Sequence, residues 1–280
     1  MIRFFPLFFA LSACLCGCQE FASESESSLS HSAQIHFLDV GQGLSVLLER
    51  NGEFALYDAG PDSAGFWDSL HTRQIPHLNW VLISHFHRDH AGGLLEWDGK
   101  IKIDSLFYGT DAEGGPLRDS VFSLAEKFGT AVVKVERGYK LPCSPWTCQV
   151  LWQPEFSHLN GNNASAALQI TDGIYSTFLE GDLETQGEAG LLEISGDLQA
   201  DLLQVGHHGS KTSSSLPFLE RVAPKYAVIS AGKKNSYGHP AKETLRKLEI
   251  VLRDSSKVFR TDLQGSILFE WIFGKGIWHR

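Results

Sequence analysis

Residues 79–84, Asn79-Trp80-Val81-Leu82-Ile83-Ser84, form an apolar run of strand length. Directly behind it stands His85-Phe86-His87-Arg88-Asp89-His90-Ala91-Gly92-Gly93. The run reads as a buried strand, which puts the histidines and the aspartate on the loop leaving its end. Four metal-capable side chains, His85, His87, Asp89 and His90, fall within six residues. Imidazole and carboxylate are ligands that zinc accepts, and manganese or iron less selectively. His85 and His87 are two apart, so an extended backbone points them the same way. Asp89 and His90 diverge, which suits a second ion beside the first. Gly92 and Gly93 are expected to let the backbone turn tightly and come close to the ions. A lone histidine would carry none of this; four metal-capable side chains at this spacing behind a strand do.

The chain has 280 residues, 42% hydrophobic and 20% charged, enough for a globular fold with a full core. Its net charge of −9 gives no general attraction to nucleic acid or anionic lipid. An anionic substrate must therefore be drawn by local charge, such as bound metal. Residues 1–18 read as a targeting segment: Arg3, then a short apolar run from Phe4 to Leu11, too short for a permanent span. Leu11-Ser12-Ala13-Cys14 and Leu15-Cys16-Gly17-Cys18 both have the small residues before a cysteine that bacterial lipoprotein processing uses. Lipidation at Cys14 or Cys18 is thus expected, in an exported protein anchored to a membrane and facing periplasm or exterior. Residues 19–33 are Ser/Glu-rich without periodicity and read as a flexible tether. Residues 34–280 then form a single domain, expected to be monomeric. In the mature part only Cys143 and Cys148 remain, and an oxidising compartment favours a disulfide closing that Pro-containing loop.

Strand patterns recur at 34–40, 44–49, 53–58, 80–84, 103–108, 131–135, 149–152, 166–170, 175–179, 201–205, 226–230, 258–260 and 266–271. Helices are expected at 117–128, 184–194, 215–222 and 240–253, the last with Leu245, Leu248 and Leu252 on one face. Strands open each half and helices follow. That order predicts an α/β chain with two mixed sheets face to face and helices outside.

Three further stretches carry chemistry. Gly181-Asp182 ends the 175–179 strand, and an Asp there is placed to bridge two cations with its two oxygens. Gly206-His207-His208-Gly209-Ser210 follows another apolar strand. One of its histidines completes the second ion and the other faces substrate; His208 is taken as ligand and His207 as the substrate-facing residue, with the reverse left open. Ser230 to Pro240 is an open glycine-containing loop. From it His239 can protonate a leaving group, while Lys233, Lys234 or Lys211 can hold an anion.

Phe37-Leu38-Asp39-Val40-Gly41-Gln42-Gly43, Asp58-Ala59-Gly60, the His85 cluster, Asn162-Asn163-Ala164-Ser165, Gly181-Asp182, His207-His208-Gly209-Ser210 and Tyr237-Gly238-His239-Pro240 occur in one order. That order resembles the ComEC-type branch of the metallo-β-lactamase superfamily, over about residues 34–270. The resemblance implies the superfamily's αββα sandwich. It also implies two-metal hydrolysis: His85, His87 and Asp182 on one ion, with Asp89, His90, Asp182 and His207 or His208 on the other. Zinc is expected, with manganese as the alternative. Two such ions share a water and lower its pKa toward 7, with Asp89, His207 and His239 in the catalytic group. Asp58 would orient a ligand histidine, and Asn162, Asn163, Ser210, Lys211 and Lys233 would meet substrate. Two departures stand out. Gly161-Asn162-Asn163 occupies the region where many members carry a third histidine for the first ion, and Leu44 stands where an Asp usually follows Gly-Gln-Gly. The favoured function is a phosphodiesterase, with DNA as a candidate polymer. Lactone, β-lactam or other ester hydrolysis is one alternative. A metal-holding domain that binds DNA or a cell-wall polymer without cutting is another.

Overall fold

The structure is a computed structural model that describes residues 32–62, 64–109, 115–154, 161–194 and 196–280. The expected signal segment with Cys14 and Cys18 and the expected tether up to residue 31 lie outside the described residues. In chain order the strands are β1 (Ser32–Phe37), β2 (Val46–Arg50), β3 (Glu53–Tyr57), β4 (His77–Ile83), β5 (Lys102–Tyr108), β6 (Ala131–Lys134), β7 (Lys140–Leu141) and β8 (Thr147–Trp152). They continue as β9 (Ala167–Thr171), β10 (Ser176–Leu179), β11 (Leu202–Gln204), β12 (Tyr226–Ile229), β13 (Val258–Arg260), β14 (Ile267–Ile272) and β15 (Gly276–His279). The helices are α1 (Phe66–Thr72), α2 (Arg88–Ala91), α3 (Pro116–Phe128), α4 (Thr185–Ile194), α5 (Leu216–Val222), α6 (Lys242–Leu252) and α7 (Thr261–Gln264).

One sheet runs β15-β14-β1-β2-β3-β4-β5-β6 and the other β13-β12-β11-β10-β9-β8-β7. Each has a parallel stretch, β3 to β6 in the first and β10 to β13 in the second. The sheets pack face to face: Phe37, Tyr57, Trp80 and Leu82 of the first meet Val150, Leu168, Leu202 and Val228 of the second in one core. The unbroken apolar run of β4 follows from this layering. Trp80 and Leu82 point into the inter-sheet core, while Val81 and Ile83 point outward under Phe66, Leu70, Val121 and Ala125 of α1 and α3. A strand covered on both faces needs no polar alternation. On the outer face of the second sheet, Phe218, Leu219, Leu248 and Leu252 of α5 and α6 cover Leu203 and Ile229. The result is the predicted α/β sandwich, with helices outside both sheets.

Some details depart from the sequence reading. Strand β1 begins at Ser32 and pairs it with Ile272, so Ser32 and Ala33, expected in the tether, belong to the sheet. Helix α1, strand β7 and strand β15 were not expected; each is seven residues or fewer, too short to show a period. The turn after His87 is helical over Arg88–Ala91 rather than open loop. Cys143 and Cys148 are bonded, Cα to Cα 6.1 Å, between β7 and β8. No helix among the described residues is long and apolar enough to cross a membrane.

Candidate metal centre

Parallel strands deliver their chemistry at their carboxyl ends, and here both sheets do so at one seam. Behind β3 comes Asp58, behind β4 the 84–90 segment, behind β10 Asp182, behind β11 the histidine pair, behind β12 the 230–240 loop. Asp89, His90, Asp182 and His208 each place one ligand atom within 4.8 Å of all the others. His85 stands beside that group, its ring centroid 4.3 Å from those of both His87 and His90.

Every ring in the group is held from behind. His90 Nδ1 donates to Asp58 Oδ2 at 2.7 Å, and Asp58 also accepts from the amide and hydroxyl of Ser84, both at 2.7 Å. His208 Nδ1 donates to the Ser230 carbonyl at 2.9 Å. His85 Nδ1 lies 3.1 Å from Ser84 Oγ and 3.3 Å from Ser165 Oγ. Committing one ring nitrogen to such a partner leaves the other as a lone pair for a metal. Three of the forward-facing atoms, His85 Nε2, His90 Nε2 and Asp182 Oδ1, are buried with no hydrogen-bond partner. The last two are 3.1 Å apart yet not aligned as donor and acceptor. Buried polar atoms left bare are costly; a cation held by Asp89, His90, Asp182 and His208 satisfies two of the three, while His85 Nε2 lies outside that group. The donor set therefore fits a divalent ion of the zinc or manganese type.

Within the group the carboxylates hold protons on the rings: against burial, Asp182 and Asp58 keep His90 well above the usual imidazole range, and Asp182 and Asp89 raise His208, so a cation binding there displaces protons from both rings. Burial holds the His85 imidazole well below its usual range, reinforced by neighbouring His90, which keeps it neutral. Burial works against a charged Asp182, but His208 and His90 outweigh it and hold the carboxyl well below the usual carboxylate range. Asp182 is thus an anion enclosed by imidazoles.

The backbone is shaped to the same end. His207 (φ 48°, ψ 48°) and His208 (φ 54°, ψ 24°) are consecutive left-handed residues, a conformation that costs of order 1 kcal/mol or more each and clusters at functional sites. Gly181 has φ 62°, and a Cβ there would sit 2.9 Å from Ser84 Cβ and 3.0 Å from Ser165 Cβ. Gln204 pins that turn, accepting from the Glu180 and Gly181 amides at 2.8 Å each. Gly92 and Gly93 do not approach the ligand group as expected. Their added Cβ atoms would strike Asp62 N at 2.7 Å and Ala59 O at 2.3 Å, so these glycines let the helical turn pack on the 59–62 loop. Leu44 joins the inter-sheet core and its amide donates to the Asp89 carbonyl at 3.0 Å.

A cavity of about 200 Å³ opens over the group, lined by Gln42, His87, Asp89, Asn162, Asp182, His207, His208, Tyr237 and His239. His239 lies 5.6 Å from His207 and 6.5 Å from His208, ring to ring. Of the residues expected to meet substrate, Asn162 lines this cavity. Asn163 does not: its Oδ1 accepts from the Glu184 and Gly187 amides and caps α4. Nor does Ser210, whose hydroxyl is turned to Thr212 at 2.9 Å. Lys211 and Lys233 are exposed and outside the lining. Side-chain direction separates these residues, and spacing along the chain does not encode it. Sequence reasoning assigned no role to Ser84, Gln42 or Tyr237, although each stands inside a stretch it singled out.

The chain is 30% identical to ComE operon protein 3 of Bacillus subtilis, over 87% of this chain and 34% of that protein. It is 31% identical to competence protein ComA of Neisseria gonorrhoeae, over 87% of this chain and 33% of that protein. The chain thus spans about a third of the length of these relatives. Among solved structures, the metallo-beta-lactamase fold protein YhfI of Bacillus subtilis superposes with a TM-score of 0.56 at 12% identity, covering 85% of this chain and 100% of that one. The metallo-beta-lactamase superfamily matches residues 38–233, which include the strand, the histidine loop, Asp182 and the histidine pair, and the chain belongs to that superfamily.

Proposed function

We propose that this protein is a metal-dependent phosphodiesterase, exported and lipid-anchored, with DNA as its candidate polymer. The observation that carries the reading is the set of bare, buried atoms His85 Nε2, His90 Nε2 and Asp182 Oδ1 beneath an open cavity. Divalent ions bound there would supply Lewis acidity toward a phosphoryl oxygen and lower the pKa of a coordinated water. His85, His87, Asp89, His90, Asp182 and His208 hold them. Asp58, Ser230 and Ser84 fix the ring orientations, so little rearrangement is needed when substrate arrives. Asn162, Gln42 and Tyr237 shape the cavity, and His239 gives a proton to the leaving oxygen. No lysine or arginine lines the cavity among the described residues, so the bound cations must supply the attraction for an anionic diester. The relationship to competence protein ComA is consistent with the ComEC-type resemblance from which the DNA expectation comes.

The test is metal content by mass spectrometry on the purified protein, beside cleavage of bis-p-nitrophenyl phosphate and of single-stranded DNA. Bound zinc or manganese with turnover of either diester is the expected result. A metal-loaded protein that leaves both intact overturns the reading, and nitrocefin turnover in its place would shift it to the lactam class.

A further inference from the structure

We propose that Tyr237 is a stacking platform for a base of a single-stranded polynucleotide, and that this contact favours such a strand over diesters without bases. The proposal rests on the phosphodiesterase reading for the place of the scissile group and adds to it the part of the substrate that lies outside. The cavity over the ligand group measures about 200 Å³, below the ~300–1,000 Å³ of pockets that enclose a whole drug-sized ligand. A phosphodiester group and its attacking water fit in that space; a nucleotide with sugar and base does not. Whatever flanks the phosphate must therefore lie on the rim. Tyr237 belongs to the lining and is 71% exposed, so its ring is part of that rim. Among the described residues every other member of the lining is a His, Asp, Asn or Gln.

An aromatic ring left in water adds little to the stability of the fold, yet the backbone beneath this one is fixed. Asn235 Oδ1 accepts from the amides of Tyr237 and His239 at 3.1 and 3.0 Å. Asn235 Nδ2 donates to the carbonyls of Gly232 and His239 at 2.9 and 2.6 Å. One side chain thus ties the loop together on either side of Tyr237, and a rim ordered in advance loses little entropy when a ligand settles on it. The Tyr237 ring lies 5.7 Å from that of His239 and 25° from parallel. A stack begins at His239 inside the cavity and continues outward to Tyr237, where a planar base can extend it. Charge points the same way. Among the described residues no lysine or arginine lines the cavity, while Lys233 and Lys234 are exposed on the loop that carries Tyr237. An aromatic platform near exposed cations holds a single strand without reading its sequence, because every base has a π-face.

The test compares two labelled strands of equal phosphate count, pentathymidylate and its abasic counterpart, on the zinc-loaded full chain. Affinity is read by fluorescence anisotropy in the cold, and cleavage by kcat/KM alongside. Equal phosphate count holds the electrostatic contribution constant, so the ratio of the two affinities reports the base alone. Wild type should bind the base-bearing strand about 10-fold more tightly. Tyr237→Ala should bring the ratio to within about twofold, and Tyr237→Phe, which keeps the ring, should preserve it. Equal affinities in wild type overturn the proposal, since they put the rim contact on sugar or phosphate. A ratio that survives Tyr237→Ala overturns it too, as does one lost in Tyr237→Phe, which would assign the effect to the hydroxyl. If the protein cleaves neither strand nor any small diester, the reading of its function falls, while the two affinities still decide the role of Tyr237.

Discussion

At the scale of single residues the site depends on which nitrogen of each ring carries hydrogen. His90 shows this most sharply, because Asp58 takes its Nδ1–H while also accepting two bonds from Ser84. An Asp at 58 offers two acceptor oxygens for three donors. An Asn offers one, so its NH2 must face either Ser84 or His90. Asn also tolerates the left-handed backbone found at Asp58, φ 58°, which leaves the turn itself intact. Asp58→Asn is thus expected to fold and to lose about 10- to 100-fold in zinc affinity, measured by competition with a chromophoric chelator; affinity equal to wild type would remove Asp58 from the site's support. The stretch that supplies Asp89 and His90 to the candidate group was legible from sequence because four metal-capable side chains crowd into His85–His90. Asp182 and the 207–208 pair were legible only in that company. The contacts of Ser84 and Ser165 with the ligand rings were not, since a serine carries no mark in the sequence of what its hydroxyl will touch.

At the scale of elements, periodicity revealed the long pieces and missed the short ones. Strand β4 and helices α3 and α6 announce themselves by an apolar run or an apolar face. Helix α1 has seven residues and β7 two, and their place comes from the sheet and core they join. Strand β1 illustrates a tertiary effect that local pattern hides. Its His36 reads as an exposed polar position between Ile35 and Phe37, yet it is buried between Arg73, whose Nη1 is 3.3 Å from Nδ1, and Glu49, 3.3 Å from Nε2. Burial, helped by Arg73, lowers its pKa from 6.5 to about 4. In the unfolded chain His36 takes up a proton near pH 6.5 and in the folded chain only near 4. Its contribution is therefore intact above pH 6.5 and lost as pH falls toward 4. Between pH 7.5 and 5 that loss is about 2 kcal/mol. Urea unfolding of wild type and His36→Gln at both pH values checks it. The variant should lose about 2 kcal/mol less than wild type on acidification, and equal losses would mean that the burial of His36 does not govern its titration.

At the scale of the whole molecule, the ligand group is a joint between two sheets. His85, Asp89 and His90 hang from the end of β4 in the first sheet, Asp182 and His208 from β10 and β11 in the second. The two sheets otherwise meet through the apolar core formed by residues such as Trp80 and Leu168. At their upper seam they instead face one another with bare imidazole nitrogens and a carboxylate oxygen. Without a cation that seam is a local cost to folding; with one it becomes a cross-link that only the folded chain can make. A ligand bound only by the native state stabilises it by about 2.7 kcal/mol at a hundredfold excess over its dissociation constant. For a chain of this size each kcal/mol moves the melting temperature by roughly 2–4 °C. Chelation should therefore lower the midpoint by roughly 5–10 °C relative to zinc-loaded protein, and Asp182→Asn should abolish most of that difference. Because the joint ties both halves, the loaded protein should melt in one transition seen alike by tryptophan fluorescence and by circular dichroism. A midpoint indifferent to chelator, in protein shown to have carried zinc, would mean that the ion sits outside the seam, and the centre built from Asp89, His90, Asp182 and His208 would have to be given up.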